Sequence, residues 1–260
     1  MESEILFSRK EQFGAMYGEI ILNRPDKGNA LTTPMLEQLD AIVSKIATDR
    51  ELRAVIIRGR GRFFCTGGDI EAWGALSPHE MGRDWILYGI DVFERLAAVP
   101  QPVIAAVSGH ALGGGLELAM VADFRIAVKS AKFGSPEVTL GMISGWMGIR
   151  RLAELIGVAR ARHLTLLGTP ITAELALSWG LITGLADDSD DLERQLNGWL
   201  ERLCANAPAA MALTKGILAT MHGDLREHHA SAAAQALTTE DCKEGVRAFR
   251  EKRKPVYRNR

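Results

Sequence analysis

Glu117 and Glu137 are the residues whose surroundings most suggest proton transfer. Glu117 falls in Gly113-Gly114-Gly115-Leu116-Glu117-Leu118-Ala119-Met120, in the first turn of a helix expected to open at Gly114. A glutamate there can simply complement the helix dipole or cap the first turn. Its neighbours Leu116, Leu118, Ala119 and Met120 are apolar, however, and a helix that is apolar nearly all round is buried. A buried carboxylate needs a purpose or a partner. Glu137 lies in Phe133-Gly134-Ser135-Pro136-Glu137-Val138, and on spacing alone it reads better as a solvated loop acid. If both acids face one apolar pocket, their pKa values separate. Burial and the neighbour's charge raise one, which can then donate a proton, while the other stays ionised and can activate water. Spacing alone does not bring them together.

Two glycine clusters each follow an expected strand: Phe63-Phe64-Cys65-Thr66-Gly67-Gly68-Asp69-Ile70, and the Gly113–Met120 segment just quoted. Glycine lets backbone approach a ligand closely, and free amides at the helix start near Gly114 suit an anion. A phosphate loop would end in Gly-Lys-Ser/Thr, which neither cluster has. Gly109, Gly113 and Gly114 do not fit the dinucleotide pattern G-x-G-x-x-G, although Glu137 follows at a tempting distance. An oxyanion hole drawing one N–H from each cluster explains why there are two. Tight turns and close packing are the plainer alternative.

The elements that must position these groups alternate in type. The first strand expected is Gly18 to Leu22, closed by the turn residues Asn23-Arg24-Pro25-Asp26. Thr32 or Thr33 caps a helix with Pro34 at its start, running to about Ala47 with the stripe Leu36, Leu39, Ile42, Val43 and Ile46. Strand Ala54 to Arg58 leads to the first glycine cluster. A helix is expected near 78–98, a buried strand at Val103 to Val107, a helix at Leu116 to Val121 and a strand at Phe124 to Val128. From Ile149 onward the pattern is almost wholly helical, at about 149–156, 159–167, 172–178, 190–205, 208–221 and 226–251. Alternation implies parallel strands with helical crossovers. The Ala-rich helical tail is only mildly amphipathic and asks for a partner surface.

At 260 residues the chain fits one large domain or a domain with a small appendage. A 47% hydrophobic and 24% charged composition is that of an ordinary globular protein. A net charge of −1 argues against a nucleic-acid partner. No apolar run approaches the roughly 20 residues that span a bilayer, and Met1-Glu2-Ser3-Glu4 does not read as a signal peptide. Cys65, Cys204 and Cys242 are too few and too scattered for a disulfide framework or a zinc site, so no metal is expected and a cytoplasmic location is.

These residues resemble the crotonase, or enoyl-CoA hydratase/isomerase, superfamily. The resemblance covers nearly the whole chain: Leu22-Asn23-Arg24-Pro25-Asp26-Lys27-Gly28-Asn29-Ala30-Leu31, the Thr66–Ile70 loop, Ala111 to Ala119, Ser135-Pro136-Glu137-Val138, Lys243 to Phe249 and Glu251-Lys252-Arg253-Lys254-Pro255. It implies an α/β fold with a ββα spiral core, here residues 1–200, and a C-terminal helical trimerisation region, 201–260. Trimers, often paired into hexamers, would follow. It further implies that a coenzyme A thioester carbonyl accepts the N–H groups of Gly68 and Gly114. Coenzyme A would enter as part of the substrate, with no prosthetic group. Hydratases resembling this chain carry two glutamates, which Glu117 and Glu137 match, whereas isomerases commonly keep one. The resemblance therefore implies addition of water to a 2-enoyl-CoA. An isomerase, or another lyase or hydrolase using the same thioester hole, is the alternative. A binding module that has lost activity is a third.

The family's coenzyme A contacts fall on Lys27, Ala30 and Leu31 and on Gly67, Asp69 and Ile70, with Lys254 able to reach a phosphate. Asp69 reads better as the cap of the turn after Gly68 than as a group in the chemistry. Gly145 and Trp146 border the acyl pocket. The segment Gly141-Met142-Ile143-Ser144-Gly145-Trp146-Met147-Gly148 departs from the family at Ser144, where typical members have Pro, and at Trp146 and Met147, where they have small residues. Two large side chains there would shrink or reshape the pocket. His110 reads as structural, since no Ser-His-Asp set is legible. Cys65 has no neighbour that would activate it. Trp73, Trp85 and Tyr88 read either as pocket lining or as core.

Overall fold

The computed structural model describes residues 3–219, 235 and 237–260. The chain opens with a hairpin, Ile5–Gln12 (β1) against Ala15–Leu22 (β2). β1 is an edge strand whose Arg9, Lys10 and Glu11 are exposed, so no apolar alternation marks it, and the first strand expected, Gly18 to Leu22, falls in β2. Thr33–Thr48 (α1) begins as expected: the Thr32 hydroxyl accepts the Met35 amide, and Pro34 stands at the helix start. It buries Leu36, Leu39, Ile42, Val43 and Ile46, together with Met35.

Thereafter strands come in pairs. Leu52–Gly59 (β3) is followed by Phe63–Cys65 (β4), Val103–Val107 (β5) by His110–Leu112 (β6), and Phe124–Val128 (β7) by Lys132–Gly134 (β8). The first of each pair joins the larger sheet and the second the smaller, and helices return the chain for the next pair. After β4 these helices are Ile70–Gly74 (α2), Pro78–Glu80 (α3), a π-helical stretch Met81–Leu87 and Tyr88–Ala97 (α4). After β6 comes Gly114–Met120 (α5). Because the order within each sheet follows the order in the chain, the path is the ββα spiral that was expected.

The last hundred residues are less purely helical than the periodicity predicts. Between Gly148–Ile156 (α6), Val158–Leu167 (α7) and Ala173–Trp179 (α8) stands Ile171–Thr172 (β9), which pairs antiparallel with β8. Gly184–Ala186 (β10) then completes the larger sheet beside β7. Two or three residues are too short to show a strand period. Ser189–Ala205 (α9), Pro208–Ala219 (α10) and Glu240–Arg250 (α11) follow. The expected helix 226–251 lies partly outside the described residues, with α11 in its described part. Beyond α11 the chain folds back: the Asp241 carboxylate accepts the amides of Arg258 and Asn259, and the Arg53 guanidinium donates to the Tyr257 carbonyl.

The larger sheet is the core. All five residues of β5 are buried, as is every residue of α5. In the smaller sheet β4, β6 and β8 are parallel neighbours. The three segments leaving their carboxyl ends are Thr66–Asp69, Gly113–Glu117 and Ser135–Glu137. Parallel strands deliver their following loops to one edge, where ligands of α/β proteins commonly bind.

Candidate active site

The first glycine cluster is held by backbone pairing on one side. Leu31 donates to the Gly67 carbonyl and accepts the Asp69 amide, both at 2.8 Å, making a parallel bridge opposite Gly68. In such a bridge the intervening residue directs its own N–H the other way, so the Gly68 amide is left for the cavity side. Asn29, fully buried at φ 56°, fixes the preceding segment. Its side-chain amide lies within 3.2 Å of the carbonyls of Arg60, Phe63 and Phe64. After Gly68, Asp69 caps α2 by accepting the Glu71 and Ala72 amides, and it meets Arg24 at 3.0 Å. Burial opposes its charge, yet the Ala72 amide, Arg24 and the Glu71 amide hold the Asp69 carboxyl below the usual range.

The second cluster turns sharply at Gly113 (φ 52°), whose amide donates to the Gly134 carbonyl. Gly114 is the first residue of α5, so its N–H has no acceptor within the helix. The two amides are close: a Cβ on Gly114 would lie 3.4 Å from the Gly68 nitrogen.

These backbones and both glutamates line one cavity of about 100 Å³. Apart from Thr66 its remaining wall is apolar, including Ile70, Trp73, Met81, Trp85, Ile86 and Trp146. Glu117, 3% exposed, accepts the amides of Trp146 and Gly148, each at 2.7 Å and both on Oε1. Burial, and next the charge of Glu137, nevertheless push its carboxyl up from 4.5 to about 7. Glu137 is not the solvated loop acid that spacing suggested. It is half-buried at the head of a 3-10 turn, Glu137–Leu140, with Ser135 on Oε2 at 2.8 Å and Ser144 on Oε1 at 3.1 Å.

The protonation of Glu117 has a consequence for stability. Between about pH 4.5 and 7 the folded protein keeps a proton that the unfolded chain has released, so stability falls as pH rises through that window. The expected loss is on the order of 3 kcal/mol. Urea unfolding at pH 5 and pH 8 should show this loss in the wild type and not in Glu117→Gln. Equal pH dependence in the two proteins would mean that Glu117 ionises freely in its site.

Of the residues singled out in the sequence, Glu117, Glu137, Gly67, Gly68, Gly114, Ile70, Gly145 and Trp146 share this cavity. Leu31 is fully buried and supports the first cluster through its backbone, and the Ala30 carbonyl accepts from Arg24. Lys27 is exposed and 3.4 Å from Glu71; neither it nor Lys254 belongs to the cavity wall. Met147, expected to crowd the pocket, is instead the left-handed residue (φ 65°) that starts α6 and points elsewhere. Trp73 and Trp85 line the cavity, whereas Tyr88 borders a separate cleft beside Thr33 and Glu37. His110 is structural, accepting the Lys132 amide on Nδ1. Burial pushes the Cys65 thiol up to about 12, too high for a nucleophile. The sequence does not mark the two serines as partners of Glu137, although Ser135 stands only two residues away and Ser144 departs from the family pattern.

The model of the family described as enoyl-CoA hydratase/isomerase matches residues 13–260. Among known sequences, a short-chain-enoyl-CoA hydratase of Clostridium acetobutylicum is 38% identical over 240 residues, covering 90% of this chain and 91% of that one. A crotonyl-CoA hydratase of Syntrophomonas wolfei is 36% identical over 258 residues, 97% of each chain. Among solved structures, an enoyl-CoA hydratase from Bacillus anthracis superposes with a TM-score of 0.92 at 34% identity, covering 99% of this chain and all of that one.

Proposed function

The chain belongs to the enoyl-CoA hydratase/isomerase family, and from that premise we propose how it works as an enoyl-CoA hydratase, a hydro-lyase acting on acyl-CoA. The observation that carries the reading is one small cavity holding two carboxylates beside two unengaged amides. The thioester carbonyl accepts the N–H groups of Gly68 and Gly114. Water lies between Glu117 and Glu137, and its oxygen attacks the β-carbon as one carboxylate takes its proton. The π electrons move onto the thioester oxygen, and the resulting enolate is held by the two amides. The other carboxyl then gives its proton to the α-carbon as the carbonyl re-forms. A pair sharing one proton suits this exchange, and the raised Glu117 supports such sharing. Removing one donor of such a hole typically costs about 3 kcal/mol of transition-state stabilisation.

The acyl group is short. The Trp146 indole is buried, donates from Nε1 to the Trp85 carbonyl at 3.1 Å, and packs between the rings of Trp85 and Phe93 at 4.9 and 5.0 Å. It fills room left by Gly89, where a Cβ would lie 2.2 Å from the indole nitrogen. An acyl chain cannot displace a ring so pinned without breaking these contacts. The names of two relatives, a short-chain and a crotonyl-CoA hydratase, agree with this. The test is loss of the conjugated thioester absorbance over a series of 2-enoyl-CoAs. Crotonyl-CoA should be favoured over decenoyl-CoA by at least about tenfold in kcat/KM, and Trp146→Leu should narrow that gap. Equal rates along the series would remove Trp146 as the limit. A double-bond shift without hydration would favour an isomerase.

In the same proposal coenzyme A itself runs along Lys27, Ala30, Leu31 and the Gly67–Ile70 loop, with Lys254 reaching a phosphate. The division into a core of residues 1–200 and a helical region 201–260, assembly as a trimer or dimer of trimers, and a cytoplasmic location belong to the same proposal. Among the described residues, no helix is long and apolar enough to cross a membrane.

A further inference from the structure

Ser135, Ser144 and Glu137 form a closed triangle at the cavity edge. Ser135 Oγ donates to Glu137 Oε2 at 2.8 Å, Ser144 Oγ reaches Glu137 Oε1 at 3.1 Å, and the two hydroxyl oxygens are 3.0 Å apart. Both serines are buried, at 3% and 8% exposure, whereas the acid they hold is half-exposed to the cavity. Each hydroxyl carries one proton. While Glu137 is ionised, three contacts therefore share two protons, and one contact lacks its hydrogen. With Glu137 ionised, both protons go to the carboxylate, one to each oxygen. With Glu137 protonated on Oε1, that oxygen accepts less well, and the Ser144 proton can turn to Ser135 Oγ while Ser135 still donates to Oε2. Either state is satisfied with no heavy atom moving.

We propose that Ser135 and Ser144 are positioning residues that hold Glu137 in one rotamer through both of its protonation states, Ser144 redirecting its hydroxyl proton as Glu137 gains and loses its own. This rests on the hydratase reading, in which Glu137 either takes the water's proton or supplies the α-carbon's. In both cases it gains and loses a proton in each turnover, and a site that suited only one form would slow the other half of the cycle. Neither serine is part of the cavity wall that would meet the substrate, so their effect falls on kcat and not on KM.

The experiment compares wild type, Ser144→Ala, Ser135→Ala, the double alanine variant, and Ser144→Thr, which keeps the hydroxyl, each also in the Glu137→Gln background. Crotonyl-CoA is the substrate, and melting temperatures are recorded alongside. Each alanine should lower kcat by about tenfold at unchanged KM, the size expected for one hydrogen bond to a charged group. Ser144→Thr should recover most of the rate. In the Glu137→Gln background the alanine changes should have no further effect. Losses of the same size in both backgrounds, or a shift in KM instead of kcat, would overturn the proposal. A second readout needs no turnover: the infrared difference spectrum of wild type against Glu137→Gln isolates the Glu137 carboxyl bands. They should shift in Ser144→Ala and return in Ser144→Thr. Bands unmoved by Ser144→Ala overturn the proposal even if the protein hydrates nothing, and absent hydration with shifted bands overturns the hydratase reading alone.

Discussion

Glu117→Gln is expected to fold, to bind enoyl-CoA thioesters as the wild type does, and to hydrate them at least about a hundredfold more slowly, since general acid–base help is worth roughly 10²–10⁴ in rate. Glutamine has the shape of the acid and keeps an oxygen for the Trp146 and Gly148 amides, so the loop from Gly145 to Gly148 stays in place. The apolar wall of the cavity is untouched, and KM should change little. What is lost is the group whose proton balances on the edge of neutrality because burial and Glu137 oppose its charge. The same substitution removes the cost of ionising a buried acid, so the slow variant should be the more stable one at pH 8. Hydration followed by ultraviolet absorbance and urea unfolding, both at pH 8, check the two halves together. A variant within about tenfold of wild type in kcat would mean that Glu117 is not in the chemistry.

Gly148→Ala should be nearly as damaging, although Gly148 carries no functional group. A Cβ there would lie 2.5 Å from Glu117 Oε1 and 2.6 Å from its Cγ. Gly148 is buried at the start of α6, leaving the methyl no other direction. The carboxylate must therefore swing off both of its amides and away from the water position. We expect a fall in kcat of at least about a hundredfold, with an overpacking cost of about 1–3 kcal/mol in stability. Gly198→Ala is the control, because a Cβ there meets nothing within 4 Å. It should leave activity intact and can stabilise α9 slightly, alanine being the better helix former. If Gly148→Ala retains full activity, the position of Glu117 matters less than the cavity geometry implies.

Much of this arrangement is legible in the residues. β5 and β7 have the bounds expected from their apolar runs, and the cap and stripe of α1 follow from Thr32, Pro34 and the 3.6-residue spacing. Glu117 declares itself because apolar neighbours on every side make its burial unavoidable. Glu137 does not, because its burial comes from Ser135, Ser144 and the far wall of the cavity, which no local spacing encodes. The short strands β4, β6, β8, β9 and β10 escape notice since two or three residues carry no period, yet β4, β6 and β8 gather the three site segments at one edge. β1 hides behind its charged edge. Trp146 and Met147 look alike as bulky intruders in the sequence. Only the left-handed turn at Met147 sends one of them out of the pocket while Trp146 goes in.

The most direct test of the central claim, that Glu117 and Glu137 act as one acid–base pair, is a double-mutant cycle on kcat for crotonyl-CoA hydration with Glu117→Gln, Glu137→Gln and the two combined. Residues that share one chemical step lose most of their effect together, so the double variant should be little slower than either single one. Losses that multiply, or a Glu137→Gln variant that hydrates at the wild-type rate, would contradict it.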